Sequence, residues 1–154
     1  MNINDFGLIK EKFLSMDELP VWRERVRQSA KRLVVTNGCF DLIHIGHLWN
    51  LCRARDLGDV LLVGINGNDA VRELKGQGRP LVDENERALI VAAFACVDGV
   101  CIFRESRATN FLNLAKPDVW TKGGDYNLES INKDELQAVK SHGGSVHLLE
   151  KELT

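Results

Sequence analysis

None of the four cysteines, Cys39, Cys52, Cys96 and Cys101, forms a Cys-x-x-Cys pair. That removes the usual sequence sign of a zinc knuckle or a dithiol redox centre. Three of them fall in segments that read as strand or helix, so reduced thiols in a cytoplasmic protein are expected. No apolar run approaches the roughly 18–20 residues that a membrane-spanning helix needs. The opening, Met1 to Phe13, mixes Asn, Asp, Lys and Glu into its apolar residues and has no signal-peptide core. Neither sign of charge is in excess: 20 basic and 22 acidic residues give a formal net charge of −2. A broad basic surface for long nucleic acid is therefore excluded, although a local cationic cluster suffices for a single nucleotide. Internal repeats, low-complexity tracts and convincing linkers are also missing. One domain over residues 1–154 is expected, with residues 1–30 as a leading helical segment packed on it.

What is present alternates between two periods. Leu33 to Thr36, Val60 to Ile65, Val100 to Phe103, Val119 to Thr121 and Val146 to Leu149 are short apolar runs. Three of them close on Asn37-Gly38, Asn66-Gly67 and Lys122-Gly123-Gly124, as strands buried on both faces of a parallel sheet do. Helical signals fill the gaps. Ser15 with Glu18 opens a helix carrying Leu19, Trp22 and Val26, with Pro20 tolerated in its first turn. His47 to Leu57 reads as a helix buried through Leu48, Leu51 and Cys52. Asp83 with Glu86 opens another, with Leu89, Ile90, Ala93, Phe94 and Val97 along one face. Asn132 with Glu135 repeats the signal before Leu136 and Val139, and Gly143 supplies the stop. Alternating strands and helices predict an α/β fold: a doubly wound, Rossmann-like, parallel five-stranded sheet with helices on both faces. Ligands bind such sheets beyond the carboxyl ends of the strands. Three polar loops fall there: Asn37–Gly46, Asn66–Asp69 and Lys122–Tyr126.

The first loop carries the most chemistry. Gly38 permits a tight turn and close backbone approach. Gly46 lies where the next helix begins, so unpaired N–H groups and the helix dipole create a phosphate site beside it. His44 and His47 are three residues apart and can be aimed at one spot. Two imidazoles can donate to phosphate oxygens as charge builds in a transition state. Cys39, His44, His47 and Cys52 are zinc-ligand types, but their spacing lacks a knuckle, so no protein-bound metal is expected.

His44-Ile45-Gly46-His47 spells the His-x-Gly-His signature of the nucleotidyltransferases, preceded by Asn37-Gly-Cys-Phe-Asp41. With Arg72-Glu-Leu-Lys-Gly-Gln-Gly-Arg-Pro80 and Lys122-Gly-Gly-Asp-Tyr126, the chain resembles the adenylyltransferase domains of bacterial ADP-heptose synthases from about Lys31 to Leu149. The resemblance implies these roles. His44 and His47 contact the nucleotide phosphates and stabilise the reacting phosphoryl group, with Lys122 as a further catalytic cation. Asn37, Gly38, Cys39, Phe40 and Gly46 cradle the nucleotide together with His47, and Gly123 and Asp125 line its far side. Asp41 fixes the loop or the substrate. Asn66 and Asp69 face the substrate, and Lys75, Arg79 and Arg87 are anion contacts. Arg87 sits in the first turn of a helix, where a cation gains nothing from the dipole, which favours a functional role.

The implied reaction is attack by a sugar 1-phosphate, a heptose 1-phosphate, on the α-phosphorus of ATP, giving an ADP-sugar for cell-surface polysaccharide and pyrophosphate. The nucleophile is already an anion, so positioning and charge neutralisation carry catalysis. Mg²⁺ is expected as the cofactor, held by the triphosphate more than by a protein cage. The partners are ATP and the sugar phosphate, with a homodimer as the family's common state. Cytidylyltransferases for glycerol 3-phosphate look similar at the first loop and are the alternative. A non-catalytic Rossmann-like module is the other, although Gly-x-Gly-x-x-Gly and its ribose-binding acid are missing. A stand-alone form without a kinase domain is expected. The family's Ser/Thr-rich segment after the last strand has no counterpart before Thr154, so either the chain is shortened or the nucleotide site is incomplete.

Overall fold

The computed structural model describes residues 2–124 and 126–151. Six parallel strands form one sheet: β1 (Phe13–Leu14), β2 (Leu33–Gly38), β3 (Val60–Asn66), β4 (Gly99–Phe103), β5 (Val119–Lys122) and β6 (Ser145–Leu148). Their order is β1-β4-β3-β2-β5-β6. All five predicted runs are strands. The sixth, β1, is a two-residue edge pairing with β4 through Phe13–Val100 and Leu14–Cys101, too short to leave a periodic signal. Every residue of the central strand β3 is buried, as a parallel strand covered on both faces requires. β6 is an edge strand and alternates exposed and half-buried positions.

Helices α1 (Leu19–Gln28), α5 (Thr109–Ala115) and α6 (Lys133–Lys140) cover one face, and their buried Leu19, Phe111 and Val139 join Leu33, Val35 and Trp120 in one core. Helices α2 (Ile45–Arg55) and α4 (Glu84–Ala92) cover the other, where Leu51, Ala54, Ala88 and Val91 meet Val34, Leu61 and Val63. Alternate strand residues therefore feed opposite cores, as the pleat dictates. The short α3 (Asn68–Lys75) lies at the carboxyl end of β3. A 3₁₀ stretch, Ile3–Lys12, precedes β1 and packs toward α4.

Four local expectations are corrected. Ser15 and Glu18 do form a reciprocal capping box, but it closes a 3₁₀ turn, Met16–Glu18, that runs into α1. In α4 the buried residues are Glu84, Arg87, Ala88, Val91 and Ala92, while Ile90 and Ala93 are exposed. Of the expected face, Val97 is buried and Phe94 packs on the core, but the buried stripe of the helix itself includes two charged residues that apolar periodicity does not show. The α2 helix starts at Ile45, two residues earlier than expected, with His44 as its cap. Cys52 on that helix is exposed rather than buried, because Leu51 and Ala54 form the buried stripe.

The chain lays down β2, β3 and β4 to one side of β2, then crosses to β5 and β6 on the other. The switch point therefore lies between β2 and β5, and the loops after these strands flank a crevice there.

Candidate active site

A cleft of about 900 Å³ opens at the carboxyl ends of β2, β3 and β5. Thr36 to Asp41, His44 and His47 line it from the β2 side, Asn66, Lys75 and Arg79 from the β3 side, and Lys122, Gly123 and Gly124 from the β5 side.

The two histidines sit on the first turn of α2, and each is oriented by a backbone amide. The Gly46 N–H donates to His44 Nδ1 at 3.1 Å, and the His44 N–H donates to His47 Nδ1 at 3.3 Å. An Nδ1 that accepts carries no proton, so in both neutral rings the proton sits on Nε2. The rings lie 4.1 Å apart, tilted by 42°. Burial, and then the neighbouring His44, hold His47 below its ordinary pKa, favouring the neutral tautomer. Gly46 is needed for this arrangement: a Cβ there would lie 2.9 Å from His44 Cε1. The result is two Nε2–H donors beside the unpaired amides of a helix start, a cradle for phosphate oxygens.

The preceding turn is held from below. Phe40 takes a left-handed φ of 51°, and its ring covers Gly38, where a Cβ would lie 3.1 Å away. Arg87 is fully buried beneath this turn. It donates to the carbonyls of Cys39, Asn66 and Val82 and to Asn68 Oδ1. Its guanidinium thus ties the loops after β2 and β3 to the start of α4, and it is not part of the cleft lining. Asp41 is similarly committed. It accepts from Arg79 at 2.8 Å and from the Leu81 and Val82 amides at 2.8 and 3.0 Å. Burial alone would raise its pKa, but these donors outweigh burial and hold it below the ordinary value. Between the two readings of Asp41, loop fixing is the one its bonds describe.

Lys122 ends β5 with its ammonium 4.9 Å from the ring centroids of both Trp120 and Tyr126. Burial lowers its pKa, opposed by Glu135 and assisted by Arg107. Trp120 Nε1–H donates to Asn37 Oδ1 at 2.9 Å, fixing the strand end beside it. The half-buried thiol of Cys39 is pushed up by burial despite Lys75 and Arg87 nearby.

The structure therefore gathers Asn37 to Asp41, His44, His47, Asn66, Lys75, Arg79, Lys122 and Gly123 around one space. Gly46 sits behind His44 rather than on the lining. Asp69 points to solvent, 94% exposed and paired with Arg72. Asp125 and residues 152–154 of the chain end lie outside the described residues. Sequence reading missed Asn50, Ser106, Arg107 and Glu135 on the lining. Asn50 had a usable signal: it follows His47 by three on one helix face. Glu135 was read only as a capping residue, yet its carboxylate accepts from the Ala108 amide at the start of α5. Arg107 and Ser106 sit in an unremarkable loop with no such clue. Among the described residues, no helix is long and apolar enough to cross a membrane.

Comparison with known proteins adds the following. The Cytidylyltransferase-like family model matches residues 35–151. The bifunctional protein HldE of Pelobacter propionicus is 46% identical over 138 residues, 90% of this chain and 28% of that protein. Its counterpart in Geobacter metallireducens is 45% identical over 138 residues, with the same two coverages of 90% and 28%. The chain thus spans little more than a quarter of the length of these relatives. A lipopolysaccharide core biosynthesis protein from Thermoplasma volcanium superposes with a TM-score of 0.63 at 28% identity, over 77% of this chain and 93% of its own. Pantoate-beta-alanine ligase from Francisella tularensis, crystallised with β-γ ATP and β-alanine, shares the fold with a TM-score of 0.60 at 11% identity. That match covers 92% of this chain and 67% of the ligase.

Proposed function

Since the chain belongs to the cytidylyltransferase-like family and is a nucleotidyltransferase, we propose that it transfers AMP from ATP to a heptose 1-phosphate. A phosphate oxygen of the sugar forms a bond to the α-phosphorus of ATP, the bond to the β-phosphate oxygen breaks, and pyrophosphate leaves. The observation that carries the chemistry is the oriented histidine pair, each Nδ1 engaged by a backbone amide and each Nε2–H left for the reacting phosphate. The sugar phosphate enters already charged, so no side chain needs to remove a proton, and the transition state gains from fixed donors. Lys122 adds a buried cation at the β5 side, and Lys75 and Arg79 supply charge at the β3 side. Asp41 and Arg87 hold the loops that present these groups.

Mg²⁺ fits this site as an ion carried in by the triphosphate. The carboxylates on the lining are engaged, Asp41 by Arg79 and two amides and Glu135 by Ala108. When bound, Mg²⁺ neutralises triphosphate charge. The choice of a heptose phosphate is supported by the relatives named HldE and by the lipopolysaccharide core biosynthesis protein. A cytoplasmic location suits these charged substrates. The test is pyrophosphate release with ATP or CTP, each offered with heptose 1-phosphate, glycerol 3-phosphate and flavin mononucleotide. ATP with heptose 1-phosphate is the expected pair. Preference for CTP with glycerol 3-phosphate would overturn the substrate assignment and leave the enzyme class intact.

A further inference from the structure

Asn50 lies one turn beyond His47 on α2 and on the same helix face. Its side chain lines the cleft. It packs so closely on the loop after β5 that a Cβ on Gly123 would lie 2.5 Å from Nδ2 and 2.9 Å from Cγ. The glycine therefore makes room for this amide, and the contact fixes where the amide points. Yet the half-buried amide makes no hydrogen bond to any described residue. The amide is thus held against the cleft wall with its donors and acceptor left for a ligand.

The surroundings indicate what completes it. Lys75 and Arg79 stand over β3, on the far side of the switch point. Lys122 is drawn toward Trp120, Tyr126 and Glu135. The residue that Asn50 touches across the cleft is the uncharged Gly123, and His47 and Leu51 are its neighbours on the lining face of α2. A phosphate belongs with the cations. An uncharged group rich in hydroxyls and ring nitrogens belongs with the amide. The amide presents one acceptor and two donors at one point. That matches a pair of ribose hydroxyls, or a base edge with adjacent donor and acceptor.

We infer that Asn50 reads the nucleoside of the nucleotide substrate and sets nucleotide affinity from the β5 side of the cleft. This rests on the nucleotidyl-transfer reading of the same site. The test is calorimetric binding of Mg²⁺-ATP and of inorganic tripolyphosphate to the wild-type chain and to Asn50→Leu and Asn50→Ala, with thermal melts of each. Loss of this hydrogen-bonding group should weaken ATP by up to about tenfold. Tripolyphosphate, which has no nucleoside, should bind all three proteins within about twofold. Asn50→Ala keeps the test alive if leucine overpacks against Gly123. Variants that bind ATP as tightly as the wild type would overturn the inference alone. Equal weakening of ATP and tripolyphosphate would also overturn it, by making Asn50 a structural or phosphate residue. A wild-type chain that binds tripolyphosphate but not ATP would remove the proposed function and this inference together.

Discussion

Replacing Gly46 with alanine separates catalysis from stability at a single atom. Gly46 is in the first turn of α2, and alanine there favours the helix by about 0.5–1 kcal/mol. The added Cβ would lie 2.9 Å from His44 Cε1 and 3.0 Å from its Nδ1. The neighbour is the exposed ring of a side chain, not backbone, so it can swing away. The swing breaks the Gly46 N–H to Nδ1 bond, worth about 0.5–1.5 kcal/mol, and strains a rotamer by a similar amount. The terms nearly cancel, so folding stability should change by no more than about 1 kcal/mol. Catalysis has no such compensation. Losing one oriented donor on a developing negative charge costs about 10²-fold in kcat. The assays are pyrophosphate release and chemical denaturation on the same preparation. Full turnover in Gly46→Ala would refute the claim that the glycine exists to seat His44. A large stability loss would show instead that Gly46 serves the fold.

Further consequences follow from the same geometry. Arg87→Leu leaves the carbonyls of Cys39, Asn66 and Val82 without their donor, and denaturant melts should show a loss of at least about 3 kcal/mol. Arg87→Lys should not restore it, since one ammonium cannot span those acceptors. Thr121 Oγ1 is buried without a hydrogen-bond partner among the described residues. Thr121→Val should therefore be neutral or stabilising by up to about 1 kcal/mol, and a clear loss would reveal a partner. His47 has a folded pKa below its ordinary 6.5, so the unfolded chain binds the extra proton first as pH falls. Its contribution is full above 6.5 and is lost as pH drops toward the folded value. The stability difference between the wild type and His47→Gln should be flat above that pH and fall below it. A flat profile throughout would contradict the half-buried, neutral ring.

The sheet was legible because parallel strands buried on both faces leave continuous apolar runs, as β2, β3, β4 and β5 do, while the edge strand β6 still shows a short apolar run at Val146 to Leu149. β1 was not, because two residues carry no period. Helix α4 misled for a chemical reason: Arg87 and Glu84 are buried there to satisfy the carbonyls of Cys39 and Asn66 and the amide of Asn68, so polarity no longer marks the exposed side. For the same reason Arg87 read as an anion contact, when its guanidinium spends its donors on the protein. The loops from Asn37 to His47 and from Lys122 to Gly124 were readable because phosphate chemistry needs glycine and histidine at short spacing. Arg107 and Glu135 were hidden, since Arg107 lies in a loop without a motif and Glu135 reaches the cleft only through the packing of α6 on α5.

In the proposed reaction His44 and His47 act on the phosphoryl group during transfer rather than merely shaping the loop. The direct measurement is the single-turnover rate of His44→Ala and His47→Ala with ATP and heptose 1-phosphate, beside the ATP dissociation constant and melting temperature of each. Each rate should fall by about 10²-fold or more, while melting falls by no more than a few degrees, as loss of a cap at His44 allows, and ATP binding weakens far less than the rate. Near-wild-type turnover in both variants would contradict it.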